Sequence, residues 1–99
     1  MKQYECMYIL KPNLEEDARN ALIEKFSGIV TANGGEVVKV DGWGKKKLAY
    51  AINYIEDGYY ILLYFKSVGD LPRELERNFK ISEDVMRYMV VVDQNVKEA

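Results

Sequence analysis

The segment Tyr59-Tyr60-Ile61-Leu62-Leu63-Tyr64-Phe65 says more about the fold than any other stretch of this sequence. It contains only aromatic and aliphatic residues, and most of them favour β-strands. Side chains alternate across a strand, so odd-numbered residues point to one face of the sheet and even-numbered residues to the other. A half-solvated strand carries polar residues on its outer face. This segment therefore predicts a strand that is covered on both faces.

Before this segment, the sequence predicts a strand, a helix and a second strand. Tyr4 to Leu10 alternates bulky residues as a strand does. Asn13 is positioned to cap a helix, which Asn33-Gly34-Gly35 ends because glycine accepts the left-handed conformation. Glu36 to about Ile52 forms the next strand, and Trp43-Gly44 permits a bend or bulge within it. The helix has one apolar face, made of Leu14, Ala18, Ala21, Leu22, Phe26, Ile29 and Val30.

The remaining sequence completes a recognisable order of elements. Glu56-Asp57-Gly58 predicts a turn before the central segment, and Asp70 begins a second helix with Pro72 in its first turn. Val85 to Val92 is the last strand. The order βαββαβ predicts an α+β ferredoxin-like plait, in which a four-stranded antiparallel sheet carries both helices on one face. The second helix presents one face with Leu71, Leu75, Asn78 and Phe79.

Length and composition predict one folded domain over residues 1–99, with a core of about residues 3–92 and a short C-terminal tail at 93–99. No apolar run approaches the ~18 residues of a membrane span, and no secretion signal precedes the first strand. Cys6 is the only cysteine, which fits a reducing compartment. We therefore expect a cytoplasmic protein with no membrane partner.

The charge balance argues against strong, unassisted binding to nucleic acid. Fourteen Lys and Arg residues face sixteen Asp and Glu residues, for a net charge of −2. A domain held to RNA by electrostatics alone is normally strongly basic. The stretch from Val37 to Tyr50 has a local excess of lysine, however. Any role in RNA binding should therefore need a partner or a narrow contact.

Few residues in the sequence are suited to catalysis. There is no histidine, which removes the usual general base near neutral pH and the imidazole metal ligand. A single cysteine excludes thiolate metal clusters, and no phosphate-binding glycine loop is present. We expect no catalytic residues, no metal, no cofactor and no small-molecule substrate.

The face of the sheet without helices should be apolar and should need a cover. Large apolar surfaces on small proteins usually mark interaction sites. Three occupants remain possible from the residues alone: stacked bases of single-stranded RNA, a second copy of this chain in a dimeric ligand-binding plait, or a different protein. The candidate partner-binding residues are Trp43, Tyr60, Leu62, Tyr64, Met89 and Val91.

Five blocks of sequence, in order, resemble the bacterial small-subunit ribosomal protein six family. They cover about residues 3–92, and the most specific runs from Trp43 to Ile52, with a Gly, three lysines and Leu-Ala-Tyr. The resemblance implies a structural protein of the small ribosomal subunit. It further implies binding to small-subunit rRNA as a heterodimer with ribosomal protein eighteen during central-domain assembly. Some members carry a long acidic tail, which this chain lacks, so we expect no role for such a tail.

The candidate RNA-binding residues combine this resemblance with side-chain chemistry. Arg87 is suited to phosphate because its guanidinium offers paired donors. Lys2 and Tyr4 begin the first strand, and we expect them to join Arg87 at one edge of the sheet. The lysines have an alternative role, since lysine at a sheet edge prevents aggregation, and Tyr50 could equally be a core residue. The full set is Lys2, Tyr4, Lys45, Lys46, Lys47, Tyr50 and Arg87.

Overall fold

The computed structural model describes residues 2–52 and 55–92, without the side chains of residues 43, 46–52, 55 and 56. The predicted tail at 93–99 lies outside the described residues. In chain order the elements are β1 (Lys2–Leu10), α1 (Glu16–Ala32), β2 (Glu36–Ile52), β3 (Ile55–Ser67), α2 (Leu71–Ile81) and β4 (Val85–Val92).

The four strands form one sheet in the order β2-β3-β1-β4, and every neighbouring pair is antiparallel. Both helices contribute to a single apolar core on one face of this sheet. The ferredoxin-like plait is therefore confirmed. The buried members of the core are Cys6, Tyr8, Leu10, Phe26, Val30, Ile61, Leu63, Phe65, Leu71, Leu75 and Phe79.

Helix α1 begins later than the sequence predicts. Asn13 lies in a turn closed by the Leu14 N–H, which donates to the Lys11 carbonyl at 3.4 Å, and the N-cap residue is Glu15. The predicted cap at Asn13 is therefore wrong. The predicted end is confirmed, because the helix stops at Ala32 and Gly34 has φ +82°.

The apolar face of α1 is also displaced. Phe26 and Val30 are buried as expected, but Ala18 and Ala21 are exposed. Ile23 packs against the core although the predicted face omits it. The helix thus packs mainly through its C-terminal half, where its large side chains are concentrated.

The predicted turn at Glu56-Asp57-Gly58 is wrong, since all three residues belong to β3. Gly58 is buried, and a Cβ atom there would overlap the Ile9 side chain and approach the Leu10 carbonyl at 3.2 Å. The glycine permits close approach of β1 rather than a change of chain direction. A bulge is confirmed further back in β2, where the register shifts between Gly42 and Gly44 and Gly44 has φ +77°.

Neither helix in the described ranges has the length and apolar character needed to cross a membrane.

Candidate functional site

The sheet face opposite the helices, here called the open face, contains three rows of residues that cross all four described strands. Directly paired residues point to the same side, so the strand register places one residue from each strand in every row. In the order β2, β3, β1, β4, the rows are Lys39, Tyr64, Glu5 and Val91; Asp41, Leu62, Met7 and Met89; and Gly44, Tyr60, Ile9 and Arg87.

The apolar part of the open face lies on β3, β1 and β4. Met89 and Val91 are 52% and 44% exposed, and Tyr60 and Tyr64 are half-buried. Leu62 is only 4% exposed and lines a groove, so its neighbours cover most of it, and its contact with a partner stays a prediction. The side chain of Trp43, also predicted to bind a partner, lies outside the described residues.

A shallow groove of about 140 Å³ follows the middle of this surface. Met7, Leu62, Met89 and Val91 supply its apolar lining, and Glu5 is its only charged residue. Glu5 belongs to none of the ion pairs found in residues 2–52 and 55–92. Glu5 is not among the predicted site residues, although an acidic residue between Tyr4 and Cys6 in a strand of mostly bulky residues was a usable signal.

The β2 side of the open face is polar. Lys39 Nζ lies 3.1 Å from Asp41 Oδ2, and the two side chains are 63% and 34% exposed. Such an exposed pair contributes little to stability, but it marks where the apolar surface ends. The groove therefore lies on β3, β1 and β4, between Leu62 and the pair Met89 and Val91, and the ion pair lies beyond it on β2.

The predicted grouping of Lys2, Tyr4 and Arg87 is wrong. Tyr4 pairs with Val92, whereas Arg87 pairs with Ile9 near the other end of β1. The two positions are five residues apart along β1, roughly 17 Å. The register also puts Tyr4 on the helix face and Arg87 on the open face. The antiparallel pairing of β1 with β4 is the cause, because the start of β1 meets the end of β4.

Tyr4 is half-buried and packs against the core. Its ring stacks on Phe65 with centroids 5.4 Å apart and an interplanar angle of 16°. This ring therefore has a structural role, while Lys2 at the start of β1 is exposed.

Arg87 instead shares an end of the sheet with the lysine run. Lys45 on β2 and Leu10 on β1 both pair with Tyr59 on β3. Leu10 directly follows Ile9, the β1 residue that pairs with Arg87. Lys45 and Arg87 are both exposed, on opposite outer strands. The backbones of Lys46 and Lys47 pair with Gly58 and Asp57. The side chains of Lys46, Lys47 and Tyr50 lie outside the described residues.

A further cation at this end was missed. The Arg19 guanidinium lies 4.0 Å from the centre of the Tyr59 ring and donates to the Leu14 carbonyl at 3.0 Å. Cation–π contact and the hydrogen bond hold this side chain over Tyr59, the β3 residue that pairs with Lys45. The sequence offered no signal for it, because Arg19 and Tyr59 are distant along the chain.

The comparisons with known proteins agree with this architecture. The sequence model described as Ribosomal protein S6 matches residues 3–92. The chain belongs to the ribosomal protein S6 family. Among its relatives, the small ribosomal subunit protein bS6 of Clostridium novyi is 54% identical over 92% of this chain and 96% of that protein. The bS6 protein of Clostridioides difficile is 50% identical over 93% of this chain and 99% of that protein.

A solved structure supports the same assignment. The crystal structure of 30S ribosomal protein S6 from Thermotoga maritima superposes with a TM-score of 0.90 at 29% identity, covering 95% of this chain and 89% of that chain. As a member of the S6 family, the chain is a structural protein of the small ribosomal subunit, located in the ribosome in the cytoplasm.

The buried reactive groups of this S6-family protein face the helices, not the open face. Burial raises the pKa of the Cys6 thiol to about 12, and Glu76 adds to the shift by Coulombic repulsion of the thiolate. Burial also raises the pKa of Tyr8, with a smaller Coulombic effect from Cys6. A protonated, fully buried thiol is a packing group. In the described ranges, no group of three or more acidic or thiol side chains is placed to hold a metal ion.

Proposed function

We propose that this S6-family protein binds small-subunit rRNA together with ribosomal protein eighteen during assembly of the central domain, and that it has no catalytic activity. The open face carries the proposal. It combines an apolar surface, which suits a protein partner, with the cation Arg87 at one end, which suits phosphate.

The protein partner covers the apolar part of the open face. Met89 and Val91 supply its most exposed contacts, Tyr60 and Tyr64 flank the groove, and Leu62 forms its floor. The strand β2 extends this contact through the position of Trp43. Burying such apolar side chains stabilises a complex by roughly 25 cal/mol per Å² before the entropy of association is subtracted.

The RNA contacts fall into two separate places. One is the end of the sheet that bears Arg87 and the lysine run Lys45, Lys46 and Lys47, with Tyr50 further along β2. The other is the start of β1, where Lys2 is exposed and Tyr4 is held by Phe65. Two small contacts on an acidic chain are too few to neutralise a long duplex. A basic partner supplies the remaining positive charge.

The same face argues against a stand-alone binder of single-stranded RNA. Tyr60 and Tyr64 do stand on a central strand, as stacking residues do in RNA-recognition folds. Tyr64 is flanked in its row by Glu5, however, and Lys39 in that row is already paired with Asp41. An acidic residue within a stacking surface repels the phosphates that follow each base.

The proposal is tested by gel-shift titration of a central-domain rRNA fragment with and without ribosomal protein eighteen. We expect weak binding by this protein alone and tight binding by the pair. Replacing Arg87 by Ala should weaken the ternary complex and reduce the slope of log K against log salt by about one unit.

Arg73→Ala is the matched control, because Arg73 is an exposed arginine on α2 and its loss changes the net charge equally. We expect an unchanged salt slope for this variant. Tight RNA binding without the partner contradicts the heterodimer, and equal slopes for both variants remove Arg87 from the RNA contact.

A further inference from the structure

The two outer strands of the sheet differ in how well they are protected against pairing with another strand. Strand β2 has register shifts after Val37 and after Gly42, and its exposed residues include Lys39 and Lys45. Bulges and lysines are the usual devices that keep an edge strand from extending its sheet. The β2 edge is therefore protected.

Strand β4 has almost none of these devices. Its sequence VMRYMVVV contains one charged residue and neither proline nor glycine. Its pairing with β1 is regular from Arg87 through Val92, and the single irregularity lies before Arg87, where Met86 falls between the partners of Leu10 and Ile9. Met89, Val91 and Val92 are 52%, 44% and 43% exposed. A regular, apolar edge of this kind is a template for strand addition.

We propose that an extended segment of the basic protein partner pairs with the outer side of β4 and adds a fifth strand to the sheet. This inference rests on the proposed function, since it specifies how the protein partner is held. Backbone N–H and C=O groups along β4 supply the affinity, and the alternating side chains of the added strand continue both faces of the sheet.

The occupant is a protein segment because only a peptide backbone matches the donors and acceptors on the outer side of β4, which have no strand partner among residues 2–52 and 55–92. Its basic character follows from Glu5. The groove that contains Glu5 is bounded on the β4 side by Met89 and Val91, so a segment on β4 lies within reach of this carboxylate. A lysine or arginine in the segment satisfies an acid that has no ion pair among the described residues.

A second copy of this chain is a poorer occupant. Self-pairing through β4 joins only 8 residues from each copy. Stable interfaces use roughly 20–30 residues a side, so this contact alone is too small. A separate partner can continue from the β4 edge onto the apolar open face and bury more surface.

Val92→Lys distinguishes edge pairing from contact with the open face alone. Val92 lies on the β4 edge but pairs with Tyr4, so it points to the helix side and is absent from the open face. We expect Val92→Lys to weaken binding of purified ribosomal protein eighteen about tenfold, because lysine at an edge opposes strand pairing. Val68→Lys is the control, because Val68 is 62% exposed and lies beyond β3. The affinity of this variant for ribosomal protein eighteen should change less than about twofold.

Amide hydrogen exchange of the unmodified protein gives a second readout that needs no variant. The β4 amides that point away from β1 should exchange at least about tenfold more slowly when ribosomal protein eighteen is added. The strand addition alone is overturned if a complex forms without protecting these amides, or if folded Val92→Lys binds ribosomal protein eighteen with full affinity. Protection that depends on protein concentration without the partner assigns the edge to a second copy. Absence of any complex overturns the proposed function itself.

Discussion

Tyr8 places a polar atom in the centre of the core. Its ring lies 5.2 Å from that of Phe26 and 4.9 Å from that of Phe79, between centroids. Its hydroxyl is buried and has no hydrogen-bond partner within the described part of the chain. A buried hydroxyl without a partner costs about 1–3 kcal/mol.

Replacing Tyr8 by Phe should therefore leave the free energy of unfolding unchanged or raise it by about 1–2 kcal/mol, because the ring contacts remain. Urea unfolding measures this. Tyr8→Leu, which loses the ring contacts as well, should be clearly less stable than Tyr8→Phe. A loss of more than about 1 kcal/mol in Tyr8→Phe means that the hydroxyl does have a partner, such as a bound water.

Glu5 shows what the sequence can and cannot say about a single residue. The alternation of β1 indicates that Glu5 and Tyr4 point to opposite faces. It does not indicate which neighbours each one meets, since those come from β3 and β4. Only the register places Glu5 between Tyr64 and Val91 and Tyr4 against Phe65.

At the scale of elements, β1 determines how closely the strands pack. It lies between β3 and β4, and Gly58 on β3 allows Ile9 and Leu10 to approach. Gly28 on α1 differs, because it is exposed and nothing lies within 4 Å of a Cβ built on it. The two glycines have ordinary backbone angles, so a comparison between them isolates the effect of space.

Gly58→Ala should lower the free energy of unfolding by about 1–3 kcal/mol, since the added methyl group displaces Ile9 or the backbone of β1. Gly28→Ala should raise it by about 0.5–1 kcal/mol, because alanine favours the helix. Thermal and urea unfolding of both variants test the pair. Equal effects at the two positions contradict the close approach at Gly58.

The element boundaries were predictable where a local signal determines them. Gly34 stops α1 and Pro72 favours the first turn of α2, because each residue acts on its own backbone. Asp70 occupies the N-cap position of α2 without a side-chain capping hydrogen bond. Gly58 misled the prediction for the opposite reason. Glycine is required at position 58 because β1 approaches closely. The sequence alone does not show whether a glycine serves a turn or a close neighbour.

At the scale of the whole molecule, the buried Cys6 thiol links stability to alkaline pH. The unfolded thiol ionises near 9.0, whereas burial raises the pKa in the folded state to about 12. The contribution is complete below pH 9, and it is lost as the pH rises from 9 toward 12, because only the unfolded chain releases the proton. Tyr8 acts in the same direction above its ordinary value of 10.0.

The free energy of unfolding should therefore decrease above pH 9, with a contribution from Cys6 of up to about 1.4 kcal/mol per pH unit. Urea unfolding between about pH 7 and pH 11, a range that spans the ordinary pKa of the thiol, measures this decrease. Cys6→Ala should be less stable at pH 7, because a buried atom is lost, and should show a shallower decline above pH 9. An identical decline contradicts the role of the thiol.

The sequence by itself determined the order of elements, the plait, the two-sided apolar strand β3 and the family, because periodicity and local motifs act through near neighbours in the chain. The tertiary structure alone decided the register of the sheet. The register places Arg87 at the end of the sheet that bears Lys45, and not beside Lys2 as the sequence predicts. It also places Glu5 in the apolar groove and makes β4 the less protected edge. Register joins residues that are distant in sequence, and antiparallel pairing reverses which ends of two strands meet.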